Sequence, residues 1–157
     1  IMYALNLSPT MSRQARAERQ YHSQVNLRIL LAEDNPVNQK LAVSILKKDG
    51  HDVLAAGNGA EAVDILEKTG WDNVDLVLMD VQMPVMSGIE ATTEIRRREK
   101  VSGRHVPIIA MTANVMKGDQ EHCLEMGMDD YLGKPVNIDM LRDLLHKWAP
   151  VNTSMNV

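Results

Sequence analysis

The sequence predicts an α/β fold, a doubly wound five-stranded parallel sheet with five helices on its two faces. The first reason is that short apolar runs alternate with segments of helical periodicity from Leu27 onward. The second is size, because 157 residues, of which 45% are hydrophobic and 24% charged, suit one globular domain with its own core. Phe is absent and Met occurs 11 times, so we expect a core of Ile, Leu, Val and Met.

Five short apolar runs are predicted to be the strands of the sheet. Each is bounded by residues that favour turns or helix starts, and each is separated from the next by a stretch long enough for a helix. The predicted strands cover residues 28–32, 51–55, 75–79, 106–111 and 130–132.

Capping residues predict where the first three helices begin. The first helix starts at Asn35-Pro36, repeats apolar residues at every fourth position, and stops at Gly50. The second and third begin after Asn58 and Ser87, each of which stands three residues before a glutamate, as in a capping box. We interpret residues 96–98, which are all arginine, as cations near the C-terminal end of the third helix.

The last two helices are predicted from their periodicity and their stop signals. The fourth covers about residues 114–126 and closes at Gly127. The fifth places four apolar side chains on one face before Pro150, namely Ile138, Leu141, Leu145 and Trp148.

Composition divides the chain and limits its partners. We expect residues 1–26 to be a linker or upstream helix, residues 27–149 to form the domain, and residues 150–157 to be a tail. The first residue, Ile1, favours a chain cut from a longer protein. A formal charge of -4 argues against nucleic acid or an anionic membrane surface as the main partner. No run approaches the roughly 18 apolar residues of a membrane span, and the lone Cys123 suits a reducing compartment.

Chemically active side chains follow four of the five predicted strands. The first strand is followed by Glu33 and Asp34, the third ends at Asp80, the fourth at Thr112, and the fifth is followed by Lys134. In a doubly wound sheet, ligands bind beside the carboxyl ends of the strands. The sequence therefore predicts that three carboxylates, a hydroxyl and an ammonium group share one edge of the sheet.

This set of residues predicts a cation-dependent phosphoryl site. Three carboxylates in close proximity repel one another, and a divalent cation bound by oxygen ligands, Mg²⁺ or Mn²⁺, removes that conflict. One carboxylate, for which Asp80 is the candidate, can then attack phosphorus and form an aspartyl phosphate. Lys134 and Thr112 would neutralise charge on the phosphoryl oxygens. The five histidines are scattered and do not have zinc-ligand spacing.

Four motifs in order resemble the receiver domain of the two-component response-regulator family, over about residues 27–148. They are Leu-Leu-Ala-Glu-Asp-Asn-Pro-Val-Asn from residue 30, Leu-Met-Asp-Val-Gln-Met-Pro-Val-Met-Ser-Gly from residue 78, Ile-Ile-Ala-Met-Thr-Ala-Asn from residue 108, and Tyr-Leu-Gly-Lys-Pro from residue 131. The resemblance implies a flavodoxin-like strand order, 2-1-3-4-5. It also implies a domain that catalyses its own phosphorylation and dephosphorylation.

The resemblance also implies a role for each site residue. Asp80 would be the phosphoacceptor, and Mg²⁺ would be bound by Asp34, Asp80 and the backbone carbonyl of Gln82, with Glu33 acting mainly through water. Mn²⁺ is expected as a substitute. Lys134 would pair with the phosphoryl group, and its peptide bond to Pro135 would be cis. Thr112 and Tyr131 would be the two switch residues.

The amino-acid sequences of the four motifs resemble those of receivers that are fused to hybrid sensor histidine kinases. Such a receiver would take phosphate from a histidine kinase transmitter domain and pass it to a histidine phosphotransfer protein. It would be cytoplasmic, with a parent kinase that can be anchored in a membrane, and the sequence leaves dimerisation open.

Two other functions that use a doubly wound sheet fit the sequence less well. A phosphohydrolase of the dehalogenase-like family has a second Asp two residues after its nucleophile, where this chain has Gln82. A flavin-binding module needs a phosphate loop after the first strand, and Glu33 and Asp34 would repel phosphate there. A receiver-like interaction module that is never phosphorylated and a stand-alone single-domain response regulator both remain open.

Overall fold

Five parallel strands form one sheet in a computed structural model of the chain, whose described residues are 26–113 and 116–150. The strand order is β2-β1-β3-β4-β5, so the predicted order is confirmed. The predicted linker, apart from Asn26, and the predicted tail, apart from Pro150, lie outside the described residues, and the domain boundaries stay a prediction. The strands are β1 (Arg28–Ala32), β2 (Asp52–Ala56), β3 (Leu76–Asp80), β4 (Ile108–Thr112) and β5 (Asp130–Gly133).

The strand predictions are correct in number, the first is correct at both ends, and the other four differ by one or two residues at an end. The second and third strands begin and end one residue later than predicted. The fourth begins at Ile108 because Pro107 has no N–H to donate, although its carbonyl accepts a hydrogen bond from Val77 at 2.9 Å.

Five helices connect or follow the strands. They are α1 (Pro36–Lys48), α2 (Gly59–Thr69), α3 (Gly88–Ser102), α4 (Lys117–Glu125) and α5 (Ile138–Trp148), with a short 3-10 turn at Trp71–Asn73. The caps predicted at Asn58 and Ser87 are present, since the side chain of Asn58 accepts from the Glu61 N–H at 2.9 Å and that of Ser87 from the Glu90 N–H at 3.2 Å. The predicted start of the fourth helix at residue 114 lies outside the described residues.

The interpretation of the three arginines as C-terminal cations of the third helix was wrong. Helix α3 continues to Ser102 and ends at Gly103, whose φ of 75° is left-handed. The arginines therefore lie before its last turn and bind acidic side chains instead. Arg97 and Arg98 both bind Glu94, and Arg96 reaches Asp129 at 2.7 Å.

The helices divide the core into two layers, one on each face of the sheet. Helices α1 and α5 cover one face, where Leu46, Leu141 and Leu145 pack on strand residues such as Leu78 and Ile109. Helices α2, α3 and α4 cover the other, with side chains from all three in contact with the central strands. Both β3 and β4 are buried along their whole length, as strands covered on both faces must be. Among the helices of the described part, none has the length and apolar character of a bilayer span.

Because the strands are parallel, their carboxyl ends lie at one edge of the sheet. The backbone hydrogen bonds between strands continue for one residue beyond these ends. The N–H groups of Glu33, Val81 and Lys134 donate to carbonyls of the neighbouring strands at 2.8–3.0 Å. The backbone positions of the residues that follow β1, β3 and β5 are thereby held by the sheet.

Candidate functional site

Three carboxylates converge where β1 and β3 end. One oxygen from each of Glu33, Asp34 and Asp80 lies within 4.8 Å of the others. Glu33 is 3% exposed and Asp80 is 4% exposed, whereas Asp34 is exposed. Two of the three charges are thus largely withdrawn from water, and the third faces it.

The Lys134 ammonium connects the two buried carboxylates. Its Nζ donates to Asp80 Oδ2 at 2.7 Å and to Glu33 Oε2 at 2.8 Å. The second oxygen of each carboxylate accepts a backbone N–H, since Glu33 Oε1 accepts from Asn35 at 3.1 Å and Asp80 Oδ1 from Gln82 at 3.2 Å. The buried carboxylates are therefore oriented by contacts on both oxygens.

Burial and charge act in opposite directions on these groups. Burial raises the pKa of Asp80, aided by the negative charge of Glu33, and the hydrogen bond and charge of Lys134 only partly oppose it. Burial alone would lower the pKa of Lys134, but its hydrogen bonds to Asp80 and Glu33 outweigh burial and raise it. Lys134 is therefore the fixed positive charge of the site.

The charged residues line an open cleft of about 230 Å³. Thr112, which is 6% exposed, lines it from the end of β4. The full lining is Glu33, Asp34, Asn35, Asn38, Asp80, Val81, Gln82, Thr112, Ala113 and Lys134. Apart from Tyr131 and Pro135, every predicted site residue lines this one cleft.

The donor chemistry of the cleft fits a hard divalent cation. Three carboxylates face one ammonium group, so the cluster retains excess negative charge, and its ligand atoms are all oxygen. Oxygen donors select ions such as Mg²⁺, Ca²⁺ or Mn²⁺ over soft metals.

Residues 29–146 match the family model for the response regulator receiver domain. The chain belongs to this family. The fold agrees with that assignment, because Glu33, Asp80, Thr112 and Lys134, one from each motif, lie at or directly after the ends of β1, β3, β4 and β5.

Curated relatives of this receiver domain include hybrid histidine kinases. It is 46% identical over 121 residues to hybrid signal transduction histidine kinase I of Dictyostelium discoideum, a match that covers 76% of this chain and 7% of that protein. It is 41% identical over 141 residues to histidine kinase 1 of Arabidopsis thaliana, covering 71% of this chain and 12% of that protein. The chain therefore spans about a tenth of the length of these relatives.

Receiver domains of known structure also match this chain. The receiver domain of the sensor histidine kinase PA1611 from Pseudomonas aeruginosa, with a magnesium ion coordinated in its active-site cleft, is 45% identical with a TM-score of 0.69, and the match covers 78% of this chain and 97% of that one. A co-crystal structure from Saccharomyces cerevisiae contains the histidine phosphotransfer protein Ypd1 and the receiver domain of the response regulator Ssk1. It matches with 37% identity and a TM-score of 0.74, covering 82% of this chain and 95% of that one.

The two predicted switch residues of the receiver domain lie on neighbouring strands. Thr112 pairs with Gly133 and Ala110 pairs with Tyr131, so Thr112 and Tyr131 face the same side of the sheet. Tyr131 is partly buried against the core layer of α2, α3 and α4. The Lys134–Pro135 peptide bond is cis, the conformation that the resemblance implies.

Two supporting residues of the site were missed by the sequence analysis. Asn38 lines the cleft one helical turn after Asn35, so helical spacing was the signal available for it. Gln39 donates through Nε2 to the carbonyls of Glu33 and Ala56, at 3.0 and 3.1 Å, and ties the end of β1 to the end of β2. The contact between Gln39 and Ala56 depends on strand pairing, which no local pattern shows.

Proposed function

We propose that this receiver domain accepts a phosphoryl group on Asp80 from a phosphohistidine. A carboxylate oxygen of Asp80 forms the new P–O bond, the P–N bond to the histidine breaks, and the released imidazole nitrogen takes up a proton. The observation that carries the proposal is the cleft in which a buried, oriented carboxylate lies beside a fixed ammonium group and two further carboxylates.

The same cleft supports Mg²⁺ as the cofactor. Asp34, Asp80 and the Gln82 backbone carbonyl would bind it, with Glu33 acting through water, and Mn²⁺ would serve as a substitute. When bound, the cation supplies positive charge to the phosphoryl oxygens. The magnesium ion in the 45% identical Pseudomonas receiver supports this assignment.

Lys134 and Thr112 act on the phosphoryl group from the other strands. The Lys134 ammonium, now bound to Asp80 at 2.7 Å, would transfer its contact to a phosphoryl oxygen. The Thr112 hydroxyl would donate to another, and movement of Thr112 would let Tyr131 turn inward on the same face of the sheet. The surface formed by α4, β5 and α5 would then change between two conformers.

The partners we propose are a histidine kinase transmitter domain as donor and a histidine phosphotransfer protein as acceptor. The hybrid kinases among the curated relatives support the donor, and the structural likeness to a yeast complex that contains Ypd1 supports the acceptor. A hybrid kinase as the parent protein, its anchorage and a cytoplasmic location belong to the same proposal.

Phosphorylation by a small donor tests the proposed function. We expect the chain to gain one phosphoryl group from acetyl phosphate when Mg²⁺ is present and none when it is chelated, as measured by intact mass. Hydroxylamine should remove the group, because it cleaves acyl phosphates. If neither acetyl phosphate nor a phosphohistidine protein such as phosphorylated Ypd1 adds a phosphoryl group, the chain is an interaction module.

Asp34→Asn should weaken Mg²⁺ binding about tenfold or more, because the variant loses one anionic ligand while the two buried carboxylates remain. Isothermal titration calorimetry suits this test. Neither tryptophan lines the cleft, so we do not expect intrinsic fluorescence to report Mg²⁺ binding. Asp52→Asn is the control, because Asp52 is exposed at the amino end of β2, at the opposite edge of the sheet. Equal Mg²⁺ affinities in the two variants would remove Asp34 from the site.

A further inference from the structure

Val85 has a strained backbone in the loop that connects Asp80 to α3. Its φ is 69°, and among the described residues it is the one non-glycine residue with a positive φ. The Met86 N–H donates to the Pro84 carbonyl at 2.7 Å, which places Val85 at the centre of a γ-turn. The form of this turn with positive φ is rare, and a β-branched residue fits that region poorly.

The surrounding contacts impose the turn whichever residue stands at position 85. Met83 and Met86 pack against the core, and the Met86 carbonyl accepts from the Gly59 N–H at 2.9 Å. The Gly88 N–H closes the loop on the Val81 carbonyl at 3.0 Å. Glycine or asparagine would adopt this conformation at lower cost than valine.

The side chain of Val85 offers no packing that would offset the strain. The residue is 84% exposed, so its apolar surface remains in water. The strain lowers the stability of the isolated domain, and the side chain gains almost no burial on folding to offset that cost. A function outside the domain would account for it.

The position of the turn indicates where such a function lies. Val85 follows β3, and two other exposed apolar residues follow neighbouring strands at the same edge, Val37 in the first turn of α1 and Met116 at the N-cap of α4. The carboxylate of Asp80 is buried at the bottom of the cleft between these loops. A protein that brings a histidine to Asp80 must therefore cover the surrounding loops.

We propose that Val85 is an apolar anchor for the histidine-bearing partner, which buries it while phosphate passes between histidine and Asp80. The proposal rests on the proposed function and adds to it a residue that the partner recognises. The strained turn holds the side chain outward before the partner arrives, and valine has a single stiff χ1 angle, so little side-chain entropy is lost on binding.

Val85→Asn separates this role from the chemistry at Asp80. We expect its urea midpoint to rise by about 0.3–1 M, since the strain is relieved. Its rate of phosphorylation by acetyl phosphate should equal that of the wild type, because a small donor needs no protein surface. Its kcat/KM for phosphoryl transfer from phosphorylated Ypd1, the probe we would use, should fall about tenfold through loss of one buried valine.

Two matched variants serve as controls for Val85→Asn. Val101→Asn makes the same change at a residue that is 92% exposed, about 20 Å along α3 from its start beside Asp80, and should transfer like the wild type. Val85→Ile keeps the apolar, β-branched side chain and should also transfer like the wild type.

The wild type and the variants report on different proposals. If Val85→Asn accepts phosphate from Ypd1 as fast as the wild type, or loses acetyl phosphate reactivity as well, Val85 is not an anchor. Failure of the wild type with both donors would instead contradict the proposed function, and this proposal with it.

Discussion

Asp80→Asn is expected to take up no phosphoryl group from acetyl phosphate or from a phosphohistidine protein, although its fold is retained. An amide has nearly the shape of a carboxylate, but its oxygen is not an effective nucleophile toward phosphorus. The other charged groups of the cleft remain in the variant. Intact mass with and without Mg²⁺ is the measurement, and Asp52→Asn, which should be phosphorylated like the wild type, is the control.

Stability measurements keep this result interpretable. Burial raises the pKa of Asp80, so the ionised carboxylate is less favourable in the folded chain than in the unfolded chain. The neutral variant should therefore unfold at the same or a higher denaturant concentration, with Lys134 still bound to Glu33. A variant that unfolds early would contradict this stability expectation, whereas one that still gains a hydroxylamine-labile phosphoryl group would contradict the role assigned to Asp80.

The sheet and the set of charged residues at its edge could be predicted because both are encoded locally. Strands buried on both faces are continuous apolar runs, and the residue after each run must lie at the edge. That reasoning places Glu33, Asp80, Thr112 and Lys134 together without any knowledge of their distances. The caps at Asn58 and Ser87 were equally predictable, since a cap and its N–H partner are three residues apart.

The contacts that depend on tertiary packing could not be predicted in the same way. Arg96 reads as a solvated helix cation, yet it binds Asp129 and donates to the carbonyls of Val106 and Gly127 at 2.9 and 2.8 Å. Its partners lie up to 33 residues away in sequence. The strain at Val85 was equally invisible, because the turn is imposed by contacts with α2 and the core.

Gly88 shows how closely the fold and the site are connected. This residue begins α3 directly beside the last residue of β3. A Cβ atom placed on it would overlap the carbonyl oxygen of Asp80 and lie 2.9 Å from Met79 Cγ. The Asp80 carbonyl belongs to a buried central strand, so its oxygen cannot move without disturbing the sheet. The added Cβ atom cannot move away without disturbing the start of α3.

Gly88→Ala should therefore lower the free energy of unfolding by about 3 kcal/mol, the cost of forcing an extra methyl group into a close-packed site. Urea unfolding measures the loss. Gly118→Ala is the matched control, because nothing lies within 4 Å of the added methyl group in α4, and it should raise stability by up to about 1 kcal/mol. If Gly88→Ala folds, its phosphorylation should also be slower, because the backbone that holds the Asp80 carboxylate has shifted. Equal stability of the two variants would show that the start of α3 can yield without moving the site.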